Sequence, residues 1–190
     1  MSRMLIGIAG PTASGKTTVA ARLEKDHGAR RLRYSEILAE IARERGLDPD
    51  DKETLQDLFT SIRAERGENW LTEAMKERAV KVDAPILVIE GNRRQVDIDT
   101  LKEVAGARGE DLKFIFIDAS EEVRRKRYNE RMEKQGDSVV TVEEFGELEK
   151  DPAEDEIGIL RDFAKTEGTY IDTDQHTVEE TMKIIGNLVV

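Results

Sequence analysis

The chain predicts an α/β fold of three layers, with a five-stranded parallel sheet between two layers of helices. Two observations carry that expectation. Five short apolar runs are mostly continuous rather than alternating, as strands are when both faces of a parallel sheet are covered. Helical stretches separate these runs, which implies right-handed crossovers within one sheet.

The runs are Met4–Ala9, Ala29–Tyr34, Ala84–Glu90, Leu112–Asp118 and Thr169–Asp172. The second, Arg30-Arg31-Leu32-Arg33-Tyr34, is weak by propensity and is placed by its position after the first helix. Between and after them, the pattern predicts helices over Gly15–Asp26, Glu36–Arg45, Lys52–Arg66, Trp70–Val80 and Asp97–Ala107. It predicts four more over Glu121–Glu133, Thr141–Glu149, Pro152–Glu167 and Thr177–Leu188. Two regions interrupt the alternation. Glu36 to Val82 reads as wholly helical, and Arg131 to Asp155 is highly charged, with a turn at Gln135-Gly136-Asp137. Both are either lids over a site or surface helices on a single domain spanning 1–190.

A length of 190 residues suits one substantial core, and 38% hydrophobic against 37% charged residues suits a globular chain. The net charge of −11 argues against a long nucleic-acid groove or an anionic-membrane surface, although a local arginine cluster can still form one positive pocket. The absence of cysteine excludes disulfides, thiolate metal sites and cysteine nucleophiles. Two histidines, His27 and His176, are too few for a histidine-rich metal site. No run approaches the roughly 20 apolar residues that a bilayer requires. The apolar N-terminal run leads straight into a glycine loop rather than a cleavage site, so a cytoplasmic location is expected.

That loop holds the strongest chemical signal. Gly10-Pro11-Thr12-Ala13-Ser14-Gly15-Lys16-Thr17 fits the Walker A pattern G-x-x-x-x-G-K-[ST] between an apolar strand and an amphipathic helix. Gly10 and Gly15 permit the tight turn, and the amides of the loop, Ala13 and Ser14 among them, then point at phosphate oxygens. Lys16 can follow the β- and γ-phosphates as a point charge, and Thr17 offers a hydroxyl to Mg²⁺. Thr18 has a secondary place in the same nucleotide site. The helix that opens at Gly15 adds its positive N-terminal dipole. ATP and Mg²⁺ are the expected ligands, on a P-loop NTPase fold.

Ile86-Leu87-Val88-Ile89-Glu90 has the shape of a Walker B strand, whose terminal acid, Glu90, would hold Mg²⁺ through its water shell. Gly91-Asn92-Arg93-Arg94 follows at the carboxyl end of that strand, where open α/β sheets bind ligands. Arg93 is the candidate grip on an acceptor phosphate, and Arg94 reads as its solvated neighbour. Downstream, Arg124, Arg127 and Arg131 recur at i, i+3 and i+7 and share one helical face. Phosphoryl transfer needs such charge in its transition state, so all three are catalytic candidates beside Lys16. Ion pairing with Glu121, Glu122 and Glu130 is the alternative use of that face.

In order and spacing, the cradle, the Ile89-Glu90-Gly91-Asn92-Arg93 segment and the arginine helix resemble the nucleoside monophosphate kinase branch of P-loop proteins. Dephospho-CoA kinase and dephospho-CoA-kinase-like nucleotide kinases are similar in outline, from Leu5 to about Ile185. The resemblance implies an ATP-dependent kinase acting on a nucleoside monophosphate or similar phosphorylated small molecule. It makes 36–82 the acceptor-binding insertion, with Glu36 facing the acceptor, and 131–155 a lid-like segment, while Arg127 and Arg131 resemble the lid arginines that close on the transferring phosphate, with Arg124 supporting them. Gly168–Thr173 resembles the strand and loop beside the donor adenine.

The chain also departs from these relatives. Dephospho-CoA kinases carry Asp-x-Asp after the second strand, the first Asp serving as base, whereas Arg33-Tyr34-Ser35-Glu36 stands here. A phosphate acceptor needs no such base. The lid segment lacks cysteines, so no zinc staple can form. Dephospho-CoA kinase and a non-kinase ATP-binding sensor or ATPase remain the alternatives, while a GTPase switch lacks its Asn-Lys-x-Asp. Trp70 is read first as a core residue and second as an acceptor-pocket wall.

Overall fold

The computed structural model describes residues 3–149 and 156–189. Strands β1 (Met4–Ala9), β2 (Arg30–Arg33), β3 (Ile86–Asn92), β4 (Asp111–Asp118) and β5 (Thr169–Asp172) form one sheet in the order β2-β3-β1-β4-β5. Every pairing is parallel. The three-layer α/β expectation therefore holds. After α1 (Lys16–His27) the chain crosses to the β2 edge, returns to β3 beside β1, and then builds outward on the other side. This reversal leaves a crevice at the carboxyl end of β1, where the glycine loop begins.

Between β2 and β3 lie α2 (Tyr34–Glu44), α3 (Lys52–Arg66) and α4 (Trp70–Ala79), so the helical reading of 36–82 is correct. Helix α5 (Gln95–Arg108) joins β3 to β4, and α6 (Glu121–Gln135), α7 (Val142–Glu149) and α8 (Ile157–Glu167) precede β5. Helix α9 (Val178–Gly186) ends the fold. The predicted helix from Pro152 and the end of the 131–155 segment fall partly on 150–155, outside the described residues.

Alternation along each strand splits the core in two. Leu5, Ala9, Leu32, Leu87, Ile89, Phe114 and Phe116 face the layer of α2–α5 and α8. Ile6, Ile8, Ile86, Val88, Ile115 and Ile117 face α1 and α9. Glu90 follows Val88 by two residues and so stands on the α1 face.

Two of the boundaries that differ from expectation bear on the site. Tyr34 opens α2 instead of ending β2, because its ring is needed in the helical layer, where it is 9% exposed. Strand β3 runs past Glu90 to Asn92. Ile8 pairs with Glu90 but Ala9 with Asn92, so Gly91 is an extra residue at φ 92°, a bulge that glycine accommodates. Asn92 secures it by donating Nδ2–H to Ile8 O at 3.0 Å and Ile89 O at 2.9 Å.

Candidate active site

The loop between β1 and α1 is shaped by contacts that exclude most other residues. A β-carbon on Gly10, whose φ is 144°, would lie 2.0 Å from Ile117 O. Ala13 adopts the left-handed φ of 61°, a strained choice that functional loops retain. The Ser14 amide donates to Pro11 O at 3.3 Å, and the Ser14 side chain is buried with Oγ lacking a hydrogen-bond partner. Lys16 Nζ folds back within the loop to Pro11 O at 2.5 Å. Thr17 and Thr18 are exposed on the first turn of α1.

Glu90 is 4% exposed at the end of the neighbouring strand. Burial pushes its carboxyl above the usual carboxylate range, and Arg31, Arg33 and Lys16 pull it partly back. The nearest guanidinium nitrogens are 3.9 Å (Arg31) and 3.8 Å (Arg33) from Oε1, too far for hydrogen bonds, while Oε2 is buried without a hydrogen-bond partner. A carboxylate oxygen orphaned on the α1 face suits the water shell of Mg²⁺, which keeps waters and needs no all-protein cage. Among the described residues, no group of three or more acidic or histidine side chains forms such a cage.

Arg33 also reaches the other way. It holds Glu36 Oε1 through Nε at 2.9 Å and a terminal nitrogen at 2.8 Å. Both residues line an open cleft of about 450 Å³ between α2 and the segment leading into α3. One guanidinium thus connects the carboxylate beside the glycine loop to the cleft of the helical insertion.

At the turn after β3, Asp97 Oδ2 accepts the amides of Arg93 at 2.7 Å and Arg94 at 2.9 Å. Burial raises the Asp97 carboxyl, and those two amides work against the rise. Arg93 remains partly exposed. Arg94 is not the solvated neighbour expected, because its guanidinium donates to Thr72 Oγ1 at 3.0 Å and Glu68 O at 3.3 Å, tying α5 to α4. Trp70 is 7% exposed and packs against Phe59, so it belongs to the core.

The arginine helix divides its guanidiniums. Arg124 is 8% exposed, donates to Ala119 O at 3.0 Å and reaches Thr12 O at 3.5 Å. Arg127 donates to Ser14 O at 3.3 Å, Thr173 Oγ1 at 2.9 Å and Thr173 O at 3.1 Å. Backbone carbonyls absorb both charges beside the loop. Arg131 is exposed and lies over the Tyr128 ring, 5.0 Å from its centroid. Fully buried Phe145 of α7 packs edge-on against Tyr128 and under Arg124, docking the segment after α6 on that helix.

The profile of the AAA domain family AAA_17, whose members are P-loop kinase-like, matches residues 9–146, from the start of the loop through α6 and into α7. The chain belongs to this family. No curated protein sequence matches it. Among solved structures, this P-loop kinase-like chain is similar to a gluconokinase from Sinorhizobium meliloti 1021 (TM-score 0.56, 18% identity, 97% of this chain and 91% of that one). It is also similar to a candidate kinase from Chloroflexus aurantiacus j-10-fl (TM-score 0.58, 18% identity, 99% and 96%). TT1252 from Thermus thermophilus is a third (TM-score 0.54, 21% identity, 100% and 100%). At such identities these likenesses speak for the fold.

Sequence reasoning missed several residues that this P-loop kinase-like fold brings to the loop. Arg31 and Arg33 alternate about Leu32, a spacing that places both on the Glu90 side, and that signal was available. Thr173 had none. Its hydroxyl lies 3.2 Å from Ser14 O and 2.9 Å from Asp118 O, contacts that depend on β5 lying beside β4.

Proposed function

We propose that this chain is an ATP- and Mg²⁺-dependent kinase of a small anionic acceptor, a nucleoside monophosphate or a similar phosphorylated molecule. The observation that carries the reading is Arg33, which joins a phosphate-loop carboxylate, Glu90, to a second polar cleft through Glu36. A kinase needs two adjoining sites, whereas a nucleotide sensor needs one.

Lys16, the loop amides of Ala13–Gly15 and the N-terminus of α1 would hold the nucleotide phosphates, with Thr17 and Glu90 toward the metal. When bound, Mg²⁺–ATP supplies the transferable γ-phosphoryl group and the ADP leaving group. Lys16, whose Nζ donates to Pro11 O within the loop, would turn to a phosphate oxygen when the nucleotide binds. Arg124 and Arg127 brace the loop from α6, and Arg131, exposed on the same helix, would add its charge toward the transferring phosphate. Arg93 would contact the acceptor from the turn after β3, and closure excludes water as a competing acceptor. Among the described residues no helix is long and apolar enough to cross a membrane.

The test is ADP release from Mg²⁺–ATP with ribo- and deoxynucleoside monophosphates, other small phosphorylated and anionic molecules, dephospho-CoA, and no acceptor. Acceptor-dependent release supports the kinase, and its pattern names the acceptor. Release only with dephospho-CoA selects that narrower activity. Acceptor-independent hydrolysis, or none at all, overturns the kinase reading in favour of a sensor or ATPase.

A further inference from the structure

The cleft of the helical insertion has a chemistry of its own. Arg33, Ser35, Glu36, Arg43, Asp50 and Leu55 are among its lining, and among the described residues no aromatic ring is. The aromatic residues of this part of the chain are spent elsewhere: Tyr34 and Trp70 are buried, and Phe59 packs on Trp70 at 6.0 Å between centroids. A nucleobase gains most of its binding by laying its flat face on apolar or aromatic surface. Hydroxyl groups, which both donate and accept, match a lining of carboxylates, a serine and guanidiniums.

The charges are arranged unequally. Glu40, which also lines the cleft, is held by both terminal nitrogens of Arg78 from α4. Arg43, one turn further along α2, is exposed and lines the cleft, where its charge also favours the Glu40 carboxylate. Glu36 gives only Oε1 to Arg33, and Oε2 has no hydrogen-bond partner among the described residues. Arg33 in turn faces Glu90, so Glu36 occupies the cleft wall closest to the phosphate loop along this chain of charges.

We infer that the acceptor is a small polyol bearing one anionic group, carboxylate or phosphate, and that Glu36 is the base for phosphorylation of one of its hydroxyls. This rests on the kinase reading above, keeps its small anionic acceptor and puts a polyol in place of the nucleotide. The hydroxyl oxygen forms the new bond to the γ-phosphorus. The bond from that phosphorus to the bridging oxygen breaks, its electron pair leaving with ADP, and the hydroxyl proton passes to Glu36 Oε2. Arg43 holds the anion of the acceptor, and Arg33 orients the Glu36 carboxylate.

The experiment offers Mg²⁺–ATP with D-gluconate, D-glycerate or glycerol 3-phosphate, and separately with AMP, CMP, GMP or UMP, reading ADP release and the product by ³¹P NMR. At least one polyol acid should stimulate release about tenfold or more and yield a phosphomonoester. Its carboxylate or phosphate form identifies the anion that Arg43 takes. Glu36→Gln should lower kcat by about 100-fold, the scale of a lost general base, with the calorimetric Kd for Mg²⁺–ATP within about twofold. Arg43→Ala, on an exposed helix position, should raise the polyol KM by about tenfold with kcat retained. A phosphoanhydride made on a nucleoside monophosphate, without any polyol product, overturns this inference and leaves the kinase standing. Stimulation by neither group overturns it too, and calorimetric Mg²⁺–ATP binding then separates its failure from that of the nucleotide site. Wild-type kcat in Glu36→Gln removes the base.

Discussion

Arg127 donates to Thr173 Oγ1 at 2.9 Å, and the same guanidinium reaches Ser14 O at 3.3 Å. A residue of α6 therefore clamps the loop after β5 to the glycine loop after β1. Thr173 completes the junction, its hydroxyl also lying near Ser14 O and Asp118 O.

Replacing Arg127 by Ala should loosen both loops at once. Hydrogen bonds from a charged group contribute roughly 1.5–3 kcal/mol, and these serve loop geometry more than the core. The expected result is a Kd for Mg²⁺–ATP raised about tenfold, read by calorimetry. Stability by urea unfolding should fall by about 1–2 kcal/mol. Unchanged nucleotide affinity would show that the clamp is dispensable for binding.

Lys16→Ala removes a charge from a partly buried loop without touching the core. Turnover should drop by about 100-fold or more, the scale of a lost electrostatic contact to the transferring group. The melting temperature should stay within about 3 °C of the parent. Retained turnover would sink the role assigned to this lysine.

Gly10→Ala tests the loop's packing rather than its chemistry. The new methyl would meet Ile117 O at 2.0 Å in a backbone conformation reserved for glycine. Strain and overpacking together should destabilise the protein by roughly 3 kcal/mol in urea titration. A loss below 1 kcal/mol, on the order of an ordinary surface change, would mean that β1 and β4 separate easily.

Tyr170 donates to Asp118 Oδ2 at 3.0 Å, and Arg161 Nε donates to the same oxygen at 2.8 Å. Burial first, then the Asp118 charge, pushes the phenol up to about 12. A folded pKa above the unfolded one stabilises the protein fully below the unfolded value, about 10, and the contribution is lost as pH rises through the folded one. The melting-temperature gap between wild type and Tyr170→Phe should thus narrow between pH 10 and about 12. A gap that widens across that window contradicts the assignment.

Arg93→Ala should raise the acceptor KM about tenfold while the ATP KM stays within twofold, as expected for lost ground-state binding at one site. Asp97 holds the Arg93 amide rather than its side chain, so the turn should survive the change. Equal effects on both substrates would move Arg93 out of the acceptor site.

The pieces that depend on neighbours in the chain are legible in the sequence by itself. The glycine loop, the strand ending in Glu90, the helices between the strands and the arginines of α6 are all short-range patterns, set by backbone freedom, period and local charge. Local pattern also misplaces Tyr34 and misreads Arg94, because burial against distant helices outweighs propensity at both. What those charges touch is decided by the order β2-β3-β1-β4-β5. That order sets Arg31 and Arg33 beside Glu90 and brings Thr173 against Ser14, contacts between residues far apart in the chain. Such pairings follow from which strand lies next to which and in what register, and a one-residue slip would turn Arg33 away from Glu90 to the opposite face.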